Sequence, residues 1–179
     1  MKKTALLFFL CGFFVVFSQA ESLPLGYGGV TLGMSIDETK EALKKNLDFG
    51  YHGERDVSLL PNENRALIET DTETGHVISY LERCWFQFYE DSLYIITINI
   101  NREKMDHYSI FEALCKKYGS PDSVSPEKSV WKNESVTMSL ERPLTLKYVD
   151  QTTFDRLQKN SLVAPSGTET SRESFLEGL

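Results

Sequence analysis

Apolar and polar side chains alternate most persistently between His76 and Ile100, and this pattern predicts a β-hairpin. His76 to Tyr89 is rich in branched and aromatic residues, Glu90-Asp91-Ser92 interrupts the run, and Leu93 to Ile100 resumes it. Strict alternation places Ile78, Tyr80, Cys84, Phe86 and Phe88 on one face of the first strand, and Val77, Leu81, Trp85 and Tyr89 on the other. In the returning strand Tyr94, Ile96, Ile98 and Ile100 oppose Leu93, Ile95, Thr97 and Asn99. Helical spacing occurs twice. Ile36, Leu43 and Leu47, with Thr39 and Ala42, predict an amphipathic helix from about Ile36 to Asn46. Phe111, Leu114, Cys115 and Tyr118 form the stripe of a second, starting near Asp106.

Start and stop signals agree with these periods. Gly33 suits a sharp bend, and Ser35 and Glu38 have the spacing of a capping box. Met105 and Ile110 have staple spacing around Asp106, Lys116 and Lys117 sit at the negative helix end, and Gly119 and Pro121 end the helix. Between the helices, Gly50, Gly53, Pro61 and Asn62 punctuate a loop-rich stretch with a small apolar patch at Val57, Leu59 and Leu60, and Arg65 to Glu69 is expected as a short strand. Three strands are predicted later: Ser129 to Lys132, Ser135 to Glu141 and Leu144 to Val149. A short helix from Thr152 to Gln158 follows. Each half therefore runs from a helix into antiparallel strands, without a residue-by-residue repeat. The expected fold is α+β, an antiparallel sheet with helices packed on one face.

Val30-Thr31-Leu32-Gly33-Met34-Ser35, followed by an acidic amphipathic helix, resembles the Gly-Met-Ser/Thr helix start of the SmpA/OmlA (BamE) family. Those are small envelope proteins that assist outer-membrane protein assembly. The wider group includes the fold of the β-lactamase inhibitor protein, with helices on one face of an antiparallel sheet. The family's Gly-x-Pro after the first helix is replaced here by Leu47-Asp48-Phe49-Gly50-Tyr51, and Tyr118-Gly119-Ser120-Pro121 follows the second helix instead. The resemblance implies an envelope location and an assembly-accessory role.

Residues 1–20 read as a secretory signal. Lys2 and Lys3 precede an apolar run from Ala5 to Phe17, and Ser18-Gln19-Ala20 is a small-x-small cleavage site. Cys11 lies behind bulky Leu10 inside that run and is not read as a lipidation site. The run is short for a membrane span, so no stable span is expected once the signal is cleaved near Ala20. Residues 21–159 form one expected domain, and residues 160–179, rich in Ser, Thr, Glu and Gly, are expected to be disordered. The chain carries a net charge of −7, and losing Lys2 and Lys3 leaves 17 basic against 26 acidic side chains. Such a domain repels phosphate backbones, so nucleic acid is not an expected partner. A periplasmic or secreted location follows.

Little points to catalysis. His52, His76 and His107 are scattered, and neither metal-ligand spacing nor a nucleophile elbow occurs. No enzyme activity, metal or cofactor is expected. Cys84 and Cys115 are the two cysteines beyond the signal, and an exported domain can oxidise them; a disulfide and two separate buried thiols are both open. The hairpin is apolar on both faces. If helices cover one, then Val77, Leu81, Trp85, Tyr89 and Ile95 form a candidate interaction face for an envelope protein partner. The alternative is a small-ligand binder, with an aromatic-lined pocket between the second helix and the sheet near Phe86, Phe88 and Tyr118.

Overall fold

The turn into the first helix is stitched onto the middle of the sheet. Gly26–Tyr27 (β1) and Val30–Thr31 (β2) pair as a small antiparallel hairpin. Gly33 then turns at φ +88° and donates its amide to the carbonyl of Leu93 at 2.8 Å, while the Leu93 amide donates to Met34 at 2.8 Å. Helix α1, Ile36–Lys45, opens with the full capping box. The Ser35 hydroxyl accepts from the Glu38 amide at 3.2 Å, and the Glu38 carboxylate accepts from the Ser35 amide at 2.9 Å. The computed structural model describes residues 22–60, 64–72 and 79–160, with the single positions Leu176 and Gly178. The expected signal, Val77 and most of the expected tail lie outside the described residues.

A 3-10 turn at Leu47–Phe49 follows α1 and ends at Gly50, whose φ is +64°. A Cβ there would lie 2.1 Å from the carbonyl oxygen of Asp71, so glycine lets this turn press against the sheet. The turn drives Phe49 edge-on into Phe86, with ring centroids 5.6 Å apart. The strands are β3 (Val57–Leu60), β4 (Arg65–Asp71), β5 (Leu81–Tyr89) and β6 (Ser92–Ile100). Helix α2, His107–Tyr118, is capped by the Asp106 carboxylate, which accepts from the Ser109 amide at 2.9 Å. Then come β7 (Ser123–Val124), β8 (Lys128–Lys132), β9 (Val136–Glu141), β10 (Thr145–Asp150) and α3 (Gln151–Asn160).

Eight strands form one antiparallel sheet in the order β3-β4-β5-β6-β10-β9-β8-β7. Each half is a helix followed by a four-strand meander, and the last strands of the two halves, β6 and β10, pair at the centre. The halves therefore share one topology although their residues do not repeat. One face carries the core: Phe86, Phe88, Ile96, Ile98, Met138 and Leu140 are all at most 1% exposed, with Leu43 of α1 and Phe49 packed onto them. Helices α1 and α2 share this face, as the α+β expectation has it.

Two irregularities in the central hairpin change which side chains reach the core. The β5–β6 register shifts between Leu81 and Arg83, and again between Gln87 and Phe88. An extra residue flips the parity of everything beyond it. Leu81 therefore joins Cys84 on the core side at 5% exposure, and Tyr80 is exposed instead. In β6, Phe88 pairs with Leu93 while Gln87 pairs with Ile95, which puts Leu93 in the core and leaves Tyr94 as the added residue.

Helix α3 crosses the other face. Its first amide donates to Ser135 at 3.0 Å, and Thr137 donates to the Gln151 side chain at 2.9 Å. Near its far end the Arg156 guanidinium lies 5.3 Å from the centre of the Tyr89 ring and 3.4 Å from the Glu90 carboxylate. Tyr94 and Ile95, on this side of the sheet, are 7% and 6% exposed. The expectation of helices on a single face thus holds for α1 and α2 and is corrected for α3.

Candidate functional site

The expected interaction face is only partly assembled. Trp85, Gln87 and Tyr89 point away from the α1/α2 side, and all three are half-buried. Ile95 pairs with Gln87 on the same side but is buried. Leu81 must be removed from the set, because the bulge turns it into the core. Val77 lies outside the described residues. Beyond Trp85 this face is polar, with Glu69 opposite Trp85 and Arg83 opposite Asp71 and Asn99. The chain's own third helix thus sits at the end of the face where a partner would be needed most.

The contrast between α1 and α2 is sharper. Thr39 and Leu43 of α1 are fully buried. No residue of α2 is, although Ile110, Phe111, Leu114, Cys115 and Tyr118 all face the core. The space between α2 and the sheet is a cleft of about 370 Å³. Its floor is Leu81, Ile98, Ile100, Leu146 and Tyr148 of the sheet. Ile110, Ala113, Leu114 and Tyr118 form the helix side, and Tyr27 and Tyr80 also border it. Tyr27 leans on Phe49 at 6.2 Å between ring centroids, which ties this border to the α1 half. Among the described lining residues Lys117 is the one formal charge, its ammonium 5.2 Å from the centre of the Tyr118 ring. Small-molecule sites are typically concave, mostly apolar and about 300–1,000 Å³. Phe86 and Phe88, expected as lining residues, are instead sealed in the core, whereas Tyr118 does line the cleft. A larger depression of about 630 Å³ lies beside α1, but Asp37, Glu38, Glu41 and Lys45 from the outward side of that helix wall it.

What holds α2 off the sheet is visible at its ends. The Trp131 indole, 2% exposed, donates to the Gly119 carbonyl at 2.9 Å and props the carboxyl end, while the Phe111 ring stands 6.1 Å from it. At the other end Met105 packs on the core ahead of the Asp106 cap. Ala113, exposed and small, borders the cleft between these ends.

A family model described as the TP0088 domain matches residues 25–160. The chain belongs to the TP0088 domain family. No curated protein and no solved structure matches it. The matched span of the TP0088 domain starts one residue before β1 and ends with α3, so it takes in both meanders, the cleft and the crossing helix.

Within the TP0088 domain both cysteines are free thiols, Cys84 buried and Cys115 half-buried. Burial pushes the Cys84 thiol up to about 12 and raises that of Cys115 as well, so neither is poised as a thiolate. His52 pairs with Asp56 at 3.5 Å, and among the described residues no three metal-ligating side chains converge. No helix among the described residues is long and apolar enough to cross a membrane. The cleft itself was not readable residue by residue. Its one sequence signal was the amphipathic stripe of α2, which looks the same whether the helix is packed down or propped up.

Proposed function

We propose that this TP0088 domain is an exported, non-catalytic binding module that holds a small apolar molecule between α2 and the sheet. The observation that carries the reading is the cleft of about 370 Å³ beneath α2, none of whose residues is buried, on the same face where α1 buries Thr39 and Leu43. Apolar surface of that kind is stabilised when a ligand removes it from water. The leader-like residues 1–20 support a place in the periplasm or outside the cell, and the acidic balance argues against nucleic acid as partner. The test is titration of the intact protein with an environment-sensitive naphthylamine dye. Saturable fluorescence gain is expected, with its loss in Ala113→Trp, where the indole fills the cleft. Absence of saturable binding to the unaltered protein contradicts the reading.

A second reading is favoured by Trp85, half-buried on the face away from α1 and α2, and by Leu59 and Leu60, 61% and 54% exposed on edge strand β3. It takes the domain as an accessory that docks on an envelope protein through Trp85 and Tyr89, the role implied by the likeness to SmpA/OmlA proteins. Two helices on one face of an antiparallel sheet support that likeness at the level of fold alone. Crosslinking in intact cells is expected to lose a partner in Trp85→Ala; an unchanged crosslink pattern removes this site.

A further inference from the structure

A second concavity, of about 470 Å³, opens at the start of α2 and shares no described lining residue with the cleft. His107 borders it, and the Nε2 atom of that ring is buried with no hydrogen-bond partner among the described residues. Buried polar atoms are nearly always paired, because an unpaired one forfeits its hydration. Lys128 and Arg142 bring two cations to the wall. Asp106 is the one acid among the described lining residues, and both its oxygens are engaged, one by the Ser109 amide and one by the Ser109 hydroxyl. The described lining is therefore net positive, in a chain of net charge −7. Arg142 is held twice: its amide donates to the Glu127 carbonyl at 2.8 Å, and its Nε to the Pro126 carbonyl at 3.0 Å. Anchoring at Nε steadies the guanidinium plane and leaves the two terminal nitrogens, a fork that matches a carboxylate. Half-buried Phe111 and exposed Tyr108 and Val124 add apolar surface beside these charges.

We propose that this pocket binds a small organic carboxylate with an apolar body: Arg142 and Lys128 hold the carboxylate, the His107 Nε2–H donates to it, and Phe111, Tyr108 and Val124 cover the body. The site is separate from the α2 cleft and does not rest on the reading of that cleft. Burial lowers the His107 imidazole, the Arg142 charge adds to the effect and Asp106 opposes it, so the ring is neutral at pH 7.5 and carries one N–H. A carboxylate oxygen accepts from that N–H, whereas a cation in the pocket would face Arg142 and Lys128. Inorganic phosphate satisfies the cations but leaves the apolar wall in water and brings a second negative charge towards Asp106.

The experiment is calorimetric titration of the intact protein at pH 7.5 with 3-phenylpropanoate, 3-phenylpropanamide and inorganic phosphate. The amide keeps the shape of the acid and lacks its charge. The acid is expected to bind saturably and about ten- to a hundredfold more tightly than the amide, the gain of charge-assisted hydrogen bonds. Arg142→Gln is expected to cut that preference about tenfold. The nitrogen-15 resonance of His107 Nε2, followed in the unaltered protein, is expected to shift as the acid saturates. Equal affinities for acid and amide overturn the proposal, and this comparison needs no variant. Tighter binding of phosphate than of the acid overturns it in favour of an inorganic anion. Binding of the acid that leaves the His107 resonance unmoved, or that Arg142→Gln leaves unchanged, places the ligand elsewhere and overturns the site. Absence of saturable binding by the acid overturns it outright and leaves the reading of the α2 cleft untouched.

Discussion

Cys84 shows how much one buried atom can reveal. It sits at 1% exposure among Phe86, Ile98 and their neighbours, and burial raises its thiol from the ordinary value of 9.0 to about 12. Above pH 9 the unfolded chain therefore gives up this proton before the folded chain does. The native state then holds more protons than the unfolded one, and stability falls as pH rises from about 9 to about 12, by up to about 1.4 kcal/mol per pH unit from this group. Urea unfolding of the protein and of Cys84→Ala from pH 7.5 to 10.5 measures it. The alanine variant is expected to lose stability less steeply above pH 9; parallel slopes contradict the burial of this thiol. At this scale the sequence was most legible where a residue acts on its own turn. Ser35 with Glu38, and Asp106 with Ser109, cap their helices as their spacing requires. It was least legible at Leu81 and Leu93. Their faces depend on added residues at Glu82 and Tyr94, and a bulge leaves no mark in the alternation it breaks.

Helices with equally clear apolar stripes play different parts. Leu43 of α1 is 1% exposed and locked against the sheet, whereas Leu114 of α2 is half-buried over a cleft. Truncating a closely packed leucine costs about 2–5 kcal/mol, because its cavity adds to the lost transfer energy. Leu43→Ala is expected in that range and Leu114→Ala well below it, since the cleft side of Leu114 already lacks partner atoms. Chemical denaturation of both variants decides the matter, and equal losses would mean that α2 is packed as tightly as α1. Periodicity reports which side of a helix faces inward; it does not report how closely that side approaches the sheet. That distance is set elsewhere, by Trp131 under the carboxyl end of α2 and Met105 before its start. The crossing of α3 was hidden for a similar reason. Gln151 and Arg156 reach the distant partners Thr137, Tyr89 and Glu90, and such pairings leave no local pattern in the chain.

Across the whole molecule, two helix-and-meander halves meet at β6 and β10 and make one continuous sheet. Their shared order was legible in the chain, but the symmetry was not, because the halves agree in topology and not in residues. Their inequality creates the candidate site. The first half fills the space beneath its helix with Leu43 and Phe49, and the second leaves it open between Ala113 and Tyr148. A molecule bound there stabilises the folded chain by mass action, by about 2.7 kcal/mol at a ligand concentration one hundred times its Kd. The most direct measurement is the urea unfolding free energy of the intact protein with and without a saturating naphthylamine dye, repeated in Ala113→Trp. A gain of that size in the unaltered protein and none in the filled variant is the expected result. An unfolding curve that the dye leaves unmoved would contradict the cleft as a binding site.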